Sequence, residues 1–226
     1  MEDLLYNPVY NALAARDAHL GNGTSTVRYY DEAVAPFAGF PTNYQDGFRE
    51  LHDLLPPGRQ IVFARPDPIE QPAGWSLKTC LEGLQFIFPD IPLPPPADLV
   101  PQPLGSAHID EMVELVKLTR PGPFAKRTIE FGHYHGFFDN GKLVAMTGQR
   151  MHVGNYNEIS AVCTHPDHLG KGYAAALIVH QLHLIRSQGR QAFLHVKADN
   201  TRAVALYNRL GFSVNRPMYF YFMQRA

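Results

Sequence analysis

Cysteine, net charge and long apolar runs are all scarce in this chain of 226 residues. Two cysteines, Cys80 and Cys163, are too few for a disulfide framework and indicate a reducing, cytoplasmic compartment. A net charge of −1 gives no electrostatic footprint for nucleic acid or an anionic membrane surface. No apolar run approaches the roughly 18 residues of a membrane span. The first ten residues also lack the basic and apolar regions of a signal peptide.

Proline, in contrast, is plentiful and crowds into residues 89–103. Because proline fixes φ and favours extended chain, we predict a semi-rigid link there that leads into an edge strand near 99–104. We place a domain boundary in this link. Residues 1–95 are then a smaller N-terminal α/β domain, which either supports the second domain or faces its substrate. Residues 96–226 form the second domain.

The chain is organised around residues 158–177. An apolar run followed by Cys163 and Thr164 predicts a buried strand, which Pro166 ends because proline has no amide hydrogen for a ladder. Gly170 and Gly172 then precede an alanine-rich stretch that reads as a helix. A strand, a glycine turn and a helix N-terminus together form a cradle for an anion, because unpaired amides and the helix dipole point at the ligand.

Two common phosphate motifs do not fit this turn. A P-loop needs a Lys-Ser/Thr pair after its second glycine, but Tyr173 and Ala174 follow Gly172. A dinucleotide fingerprint opens a doubly wound sheet, and too little chain follows the next predicted strand, 191–196, to build one.

A third pattern fits better and includes a later segment. The run from Asn200 through Ala203, Leu206 and Tyr207 to Gly211-Phe212 matches Asn-x-x-Ala-x-x-Leu-Tyr-x-x-x-Gly-Phe at every position. The turn matches Arg/Gln-x-x-Gly-x-Gly/Ala except that Leu169 replaces Arg or Gln. These two segments resemble the GCN5-related N-acetyltransferase (GNAT) superfamily, and the resemblance covers roughly residue 98 onward.

This resemblance implies an α+β (mixed α/β) fold with a central mixed, mostly antiparallel sheet flanked by helices. It implies an N-acetyltransferase that moves an acetyl group from acetyl-CoA directly to an amine on a small molecule or peptide, without a metal. The pyrophosphate would lie on the turn, where Lys171 or the backbone replaces the missing Arg or Gln, and the pantetheine arm would follow the strand. The implied cofactor-binding residues are Val162, Cys163, Thr164, Leu169, Gly170, Lys171, Gly172, Tyr173, Ala174 and Asn200.

The resemblance also implies two catalytic residues. Tyr207 takes the position of the general acid, since a phenol is protonated at neutral pH and can protonate a leaving thiolate. Otherwise it is an aromatic residue that packs on a helix face. Glu158 takes the position of a carboxylate that removes the amine proton through water, and its alternative is a solvated charge at a strand end. His133, His135 or His165 could serve instead as the base.

Other interpretations stay open at this point. Cys163 and His165 lie two residues apart on a strand, so a covalent acyl-cysteine relay is a rival mechanism. An acetyl-CoA-binding sensor, or an inactive acyl-CoA-binding module, is a rival function. The histidine pairs 165/168 and 180/183 lack a third ligand, which argues against a metal site. The terminal aromatic strand, 218–223, could pair across a homodimer.

Several local elements are also predicted. Ser106 is placed to cap a helix, because Asp110 and Glu111 follow in its first turn. Asn140-Gly141 predicts a type I′ turn between strands 134–139 and 142–151. In the N-terminal part, helix spacing covers 43–55, and strands are indicated at 26–30, 60–64 and within 75–88.

Overall fold

The N-terminal layer is a small α/β unit. A computed structural model describes residues 3–226. Short 3-10 turns at Leu4–Tyr6 and Ala18–Leu20 flank helix α1, Pro8–Leu13. Strands β1 (Gly21–Gly23), β2 (Arg28–Tyr30) and β3 (Ala38–Gly39) form a three-stranded sheet, and helix α2 is Gly47–Leu54. The predicted helix at 43–55 is therefore confirmed with a later start.

The rest of the chain builds one large sheet of eight strands. Its members in chain order are β4 (Gln60–Arg65), β5 (Trp75–Ile87), β6 (Gln102–Pro103), β7 (His135–Asp139), β8 (Lys142–Val153), β9 (Tyr156–Thr164), β10 (Gln191–Lys197) and β11 (Ser213–Arg225). Across the sheet the order is β4-β11-β5-β10-β9-β8-β7-β6. Among these eight strands of the described chain, β9 and β10 are the one pair that runs in parallel, so the predicted mixed, mostly antiparallel sheet is confirmed.

This sheet runs through the predicted boundary at residues 95 and 96. Strand β5 precedes the proline-rich link, yet it pairs with β10 and β11 from beyond it. The link therefore connects two strands of one sheet. Its predicted edge strand exists, but it is only two residues long and pairs with β7.

Strand β11 lies inside the sheet. It pairs with β5 along most of its length on one side, and its residues 219–224 pair with β4 on the other. The predicted pairing of 218–223 across a dimer is wrong, because the backbone groups on both edges of this strand are already used.

Three helices cover the sheet: α3 (Ile109–Thr119), α4 (Tyr173–Ser187) and α5 (Thr201–Arg209). Ser106 does not cap α3, because a 3-10 turn, Ser106–His108, precedes the helix and the Gly105 amide donates to His108 Nδ1. The hairpin turn is as predicted, since Asn140 and Gly141 have φ of +50° and +76°. None of the helices within residues 3–226 combines the length and apolarity that a bilayer crossing requires.

The main apolar cores lie on opposite faces of the sheet. On one face α4 and α5 cover a cluster that includes Phe86, Ile178 and Leu194. On the other face the N-terminal layer packs Leu5 and Leu13 against Met151, Phe193 and Met218.

Candidate active site

The site is an opening between two parallel strands. β9 and β10 pair only from Gln191↔Tyr156 to Phe193↔Glu158, and beyond that point their backbones separate. Both strands continue, β9 to Thr164 and β10 to Lys197, so their facing edges border a cavity of about 910 Å³. A parallel sheet opened in this way leaves backbone donors and acceptors free for an added ligand.

A bulge interrupts β9 at the same level. Its register against β8 shifts between Cys163↔Met146 and Ser160↔Gly148, and Ala161 has a φ of +53°. Bulges next to sites re-aim side chains and free backbone groups. The residues from Ile159 to Thr164 all line the cavity, including the predicted Val162, Cys163 and Thr164.

The glycine turn at the end of β9 is open toward solvent. Gly170 and Gly172 both have a φ of +81°, and a Cβ built on either would meet nothing within 4 Å. Helix α4 then begins at Tyr173, with Gly172 as its cap and Ala176 N–H donating to the Gly172 carbonyl at 3.0 Å. Within the described chain the amides of residues 170–175 donate no hydrogen bond. This turn therefore fits a pyrophosphate as an anion cradle.

The predicted turn residues differ in their relation to the cavity. Gly170, Gly172, Tyr173, Ala174 and Leu169 line it, and Leu169 is 45% exposed. Lys171 is exposed and does not line the cavity, so the backbone is the better substitute for the missing Arg or Gln.

Helix α5 brings Asn200 and Tyr207 to the same cavity. The Asn200 side chain caps the helix by accepting from the Ala203 amide at 3.1 Å. Tyr207 is 6% exposed and packs its ring beside Phe86 and Phe212. Burial raises the pKa of Tyr207 to about 12, so its hydroxyl carries a proton throughout the neutral range.

Comparisons with known proteins agree with this geometry. The family model described as FR47-like protein matches residues 134–221. A GNAT-family protein from Novosphingobium aromaticivorans is 32% identical, covers 100% of both chains and superposes with a TM-score of 0.92. The chain belongs to the GNAT family. A GCN5-related N-acetyltransferase from Kribbella flavida shares the fold at 14% identity, with a TM-score of 0.61 over 95% of both chains.

Curated relatives match a smaller part of the chain. Mycothiol acetyltransferase from Mycolicibacterium gilvum is 38% identical over 90 residues, and its counterpart from Corynebacterium glutamicum is 36% identical over 78. These matches cover 35% and 34% of this chain, but only 30% and 27% of the two relatives. Membership of the GNAT family implies acetyl-CoA as cosubstrate, and the turn and cavity described above suit that ligand.

Glu158 is not the solvated charge that one interpretation expects. It is 1% exposed, and Arg150 donates to both of its carboxylate oxygens at 2.8 Å. Burial by itself would raise the pKa of Glu158, but the Arg150 charge and the hydrogen bonds from Arg150 and His195 lower it to about 2. A carboxylate this acidic is a weak proton acceptor, which argues against its predicted role as the base that takes the amine proton through water.

His195 is a site residue that sequence reasoning missed. It lies on β10 and lines the cavity, and its Nδ1 is 2.8 Å from the Glu158 carboxylate. The paired strands β9 and β10 bring the two residues together although 37 positions separate them. No local motif contains both, so no sequence pattern could have indicated the pair.

The other candidate bases lie elsewhere. His133, His135 and His165 are absent from the cavity lining within residues 3–226. His135 packs against His180 on α4, with ring centroids 4.3 Å apart, and His133 Nε2 lies 3.4 Å from the Gln188 side-chain amide at the C-terminal end of α4. Both therefore face α4 and not the cleft.

Cys163 is poorly suited to act as a nucleophile. It is buried, and burial raises its pKa to about 11 despite hydrogen bonds to Thr119 and Met146. His165 accepts a hydrogen bond from the Asp167 amide at its Nδ1, and in the described chain it makes none to Cys163. The thiolate that a covalent relay needs is thus disfavoured.

The N-terminal layer supplies a wall of the cavity. Phe37 from this layer lies beside Val62 of β4 and Phe220 and Phe222 of β11. The Arg150 guanidinium lies over the Phe37 ring, 4.7 Å from its centroid. The end of α3 and the loop that follows it, residues 119–124, line the cavity as well. Apolar rings and this loop thus bound the region beyond the opened strands.

Proposed function

We propose that this protein is an acetyl-CoA-dependent N-acetyltransferase that transfers the acetyl group directly to an amine. The observation that carries the proposal is one cavity that contains an open glycine cradle, an unpaired strand edge and a protonated tyrosine. Bound acetyl-CoA would supply an acetyl group activated as a thioester. Cytoplasmic localisation, which the low cysteine content indicates, stays a prediction.

Each binding element has a defined part. The amides of Gly170 to Ala174 would hold the pyrophosphate at the α4 N-terminus, where the helix dipole favours negative charge. The β9 edge at Val162, Cys163 and Thr164 would hold the pantetheine arm by backbone hydrogen bonds, as an added strand does. Asn200, predicted to bind the cofactor, lines the cavity and caps α5, and the cap would orient the helix that carries Tyr207.

Tyr207 would act as the general acid. It holds a proton at its hydroxyl, and its rise in pKa makes loss of that proton at neutral pH unfavourable. A phenol with a raised pKa is a weaker acid than an exposed one, but it stays fully protonated when the leaving group needs a proton.

We propose that Glu158 acts through His195. The carboxylate accepts from His195 Nδ1, an arrangement that orients the imidazole and stabilises it when the other nitrogen takes a proton. Arg150 keeps the carboxylate ionised. His195 would therefore take the amine proton, and Glu158 would be a positioning residue.

The acceptor wall favours an amine on an apolar or aromatic body. Phe37, Val62, Phe220 and Phe222 present apolar surface near His195. A second cavity of about 500 Å³ shares Val62 and Phe222 with the first, so it gives room for a longer body. Burial of apolar groups against such a wall contributes roughly 25 cal/mol per Å².

An acetyl-CoA assay that measures released thiol tests the proposal. The panel pairs phenethylamine with ethanolamine, and a peptide with an N-terminal aromatic residue with a polar one. We expect turnover, with the higher kcat/KM for the aromatic member of each pair.

The Tyr207→Phe variant should bind CoA as the wild type does and lose at least tenfold in kcat, since proton delivery is typically worth about a hundredfold or more. Tight CoA binding without turnover on any amine would favour the sensor instead. Unchanged kcat in Tyr207→Phe would reduce this tyrosine to a packing residue.

A further inference from the structure

A chain of buried hydrogen bonds links the N-terminal segment to the cavity. Gln85 of β5 is fully buried, and its Nε2 donates to the Leu5 carbonyl at 2.9 Å. The same nitrogen lies 3.1 Å from His195 Nε2, and His195 Nδ1 lies 2.8 Å from Glu158. Arg150 completes the chain through its two hydrogen bonds to Glu158.

The Leu5 carbonyl fixes the direction of the hydrogen bonds that the Gln85 side chain makes. A backbone carbonyl can only accept, so the Gln85 amide must turn its NH₂ group toward Leu5. The Gln85 oxygen then faces the Asn215 side-chain amide, whose Nδ2 donates to it at 2.7 Å. Because amide orientation is otherwise ambiguous, this carbonyl is the group that resolves it.

The orientation of Gln85 in turn selects one tautomer of His195. Since an NH₂ group faces His195 Nε2, that nitrogen must present its lone pair, and the ring proton must be on Nδ1. Nδ1–H then donates to the Glu158 carboxylate. A proton on Nε2 would place two donors against each other at 3.1 Å. Phe193 and Phe220 lie edge-on to the ring, and the charged Arg150 donates to the same Glu158 oxygen as His195.

We propose that Gln85, oriented by Leu5, is a positioning residue that holds His195 as the Nδ1–H tautomer with Nε2 unprotonated. The part of this proposal that concerns catalysis rests on the proposed function, in which Nε2 exchanges its hydrogen bond from Gln85 for the amine proton. The part that concerns the tautomer does not. The N-terminal segment thus sets the chemical form of a cavity histidine from the face of the sheet on which it packs.

The first test needs only the wild-type protein. We expect ¹⁵N spectra of histidine-labelled protein at neutral pH to show His195 protonated at Nδ1 and unprotonated at Nε2. A His195→Gln variant assigns the signal by its disappearance. A protonated Nε2 in the wild type overturns the proposal, whatever the turnover.

Two substitutions then test the part played by Gln85. In Gln85→Glu a carboxylate replaces the donor, so we expect both ring nitrogens of His195 to be protonated and kcat to fall at least tenfold with an unchanged KM for acetyl-CoA. In Gln85→Met the donor is removed without a new charge, and we expect the preference for one tautomer to be lost. Gln149→Met is the matched control, because Gln149 is also a fully buried glutamine but bonds Gln181 and Asn157.

The outcomes separate this proposal from the proposed function. A His195 signal that stays the same in a folded Gln85→Met variant overturns the part played by Gln85. The expected spectra from a protein that acetylates no amine would refute the proposed function and leave the tautomer assignment supported.

Discussion

Replacing Glu158 by glutamine leaves Arg150 charged and buried without its carboxylate. Arg150 is 8% exposed, and both of its hydrogen bonds to Glu158 are 2.8 Å long. Removal of one member of a buried ion pair typically costs about 3–5 kcal/mol, because an uncompensated charge stays in the interior. We therefore expect the Glu158→Gln variant to lose a free energy of unfolding in this range at pH 7.

The pKa of Glu158 gives an independent magnitude. A fall from the ordinary 4.5 to about 2 corresponds to stabilisation on the order of 3 kcal/mol. Because the folded-state pKa is the lower one, this contribution is fully present above pH 4.5. It is lost as the pH falls from there toward 2. The difference in unfolding free energy between wild type and Glu158→Gln should therefore shrink by about half at pH 3.

Urea unfolding followed by circular dichroism at pH 7 and pH 3 measures both effects. The control is Glu130→Gln, because Arg127 also donates to both oxygens of Glu130, at 2.6 and 2.8 Å, but that pair is largely exposed. We expect no measurable loss from the control, since exposed pairs stabilise little. Equal losses from the two variants, or a difference that does not change with pH, would refute the argument from burial.

Two further predictions concern the cofactor side of the cavity. Cys163→Ala should acetylate at nearly the wild-type rate in the thiol-release assay, because a thiol with a pKa near 11 is not the nucleophile; complete loss of activity in the folded variant would restore the covalent relay. Gly172→Ala should weaken CoA binding in calorimetry, since an alanine at a φ of +81° costs roughly 1–2 kcal/mol and shifts the cradle. Gly141→Ala is its control, because Gly141 has a φ of +76° and equally open surroundings but lies in the hairpin turn away from the cavity.

Local sequence was sufficient for the cofactor side of the site. The apolar run, Gly170, Gly172 and the following alanines predicted a strand, an open turn and a helix N-terminus, and the structure has all three. Likewise Asn140-Gly141 predicted the hairpin turn. In each case the residues that determine the local structure are neighbours in the chain, so the local sequence is enough to predict it.

The acceptor side depends on pairings that no local pattern contains. Glu158 looks like a strand-end charge in sequence, and its burial follows from Arg150 across the β8–β9 hairpin and from His195 on β10. The domain boundary predicted at residues 95 and 96 likewise depends on strand pairing between distant parts of the chain. Prolines in a link suggest a break, but the register of β5 with β11 is a long-range property that only the folded sheet shows.

The place of β11 between β4 and β5 also constrains how the chain folds during synthesis. Strands β4 and β5 are made early, yet the partner that joins them is residues 213–225. Until that segment leaves the ribosome, each strand has an unpaired edge that neighbouring nascent chains could capture. Closure of the sheet must therefore wait for long-range pairing, which is slow. Expression at low temperature or with a chaperone should accordingly raise the yield of folded protein more than any stabilising change on the surface.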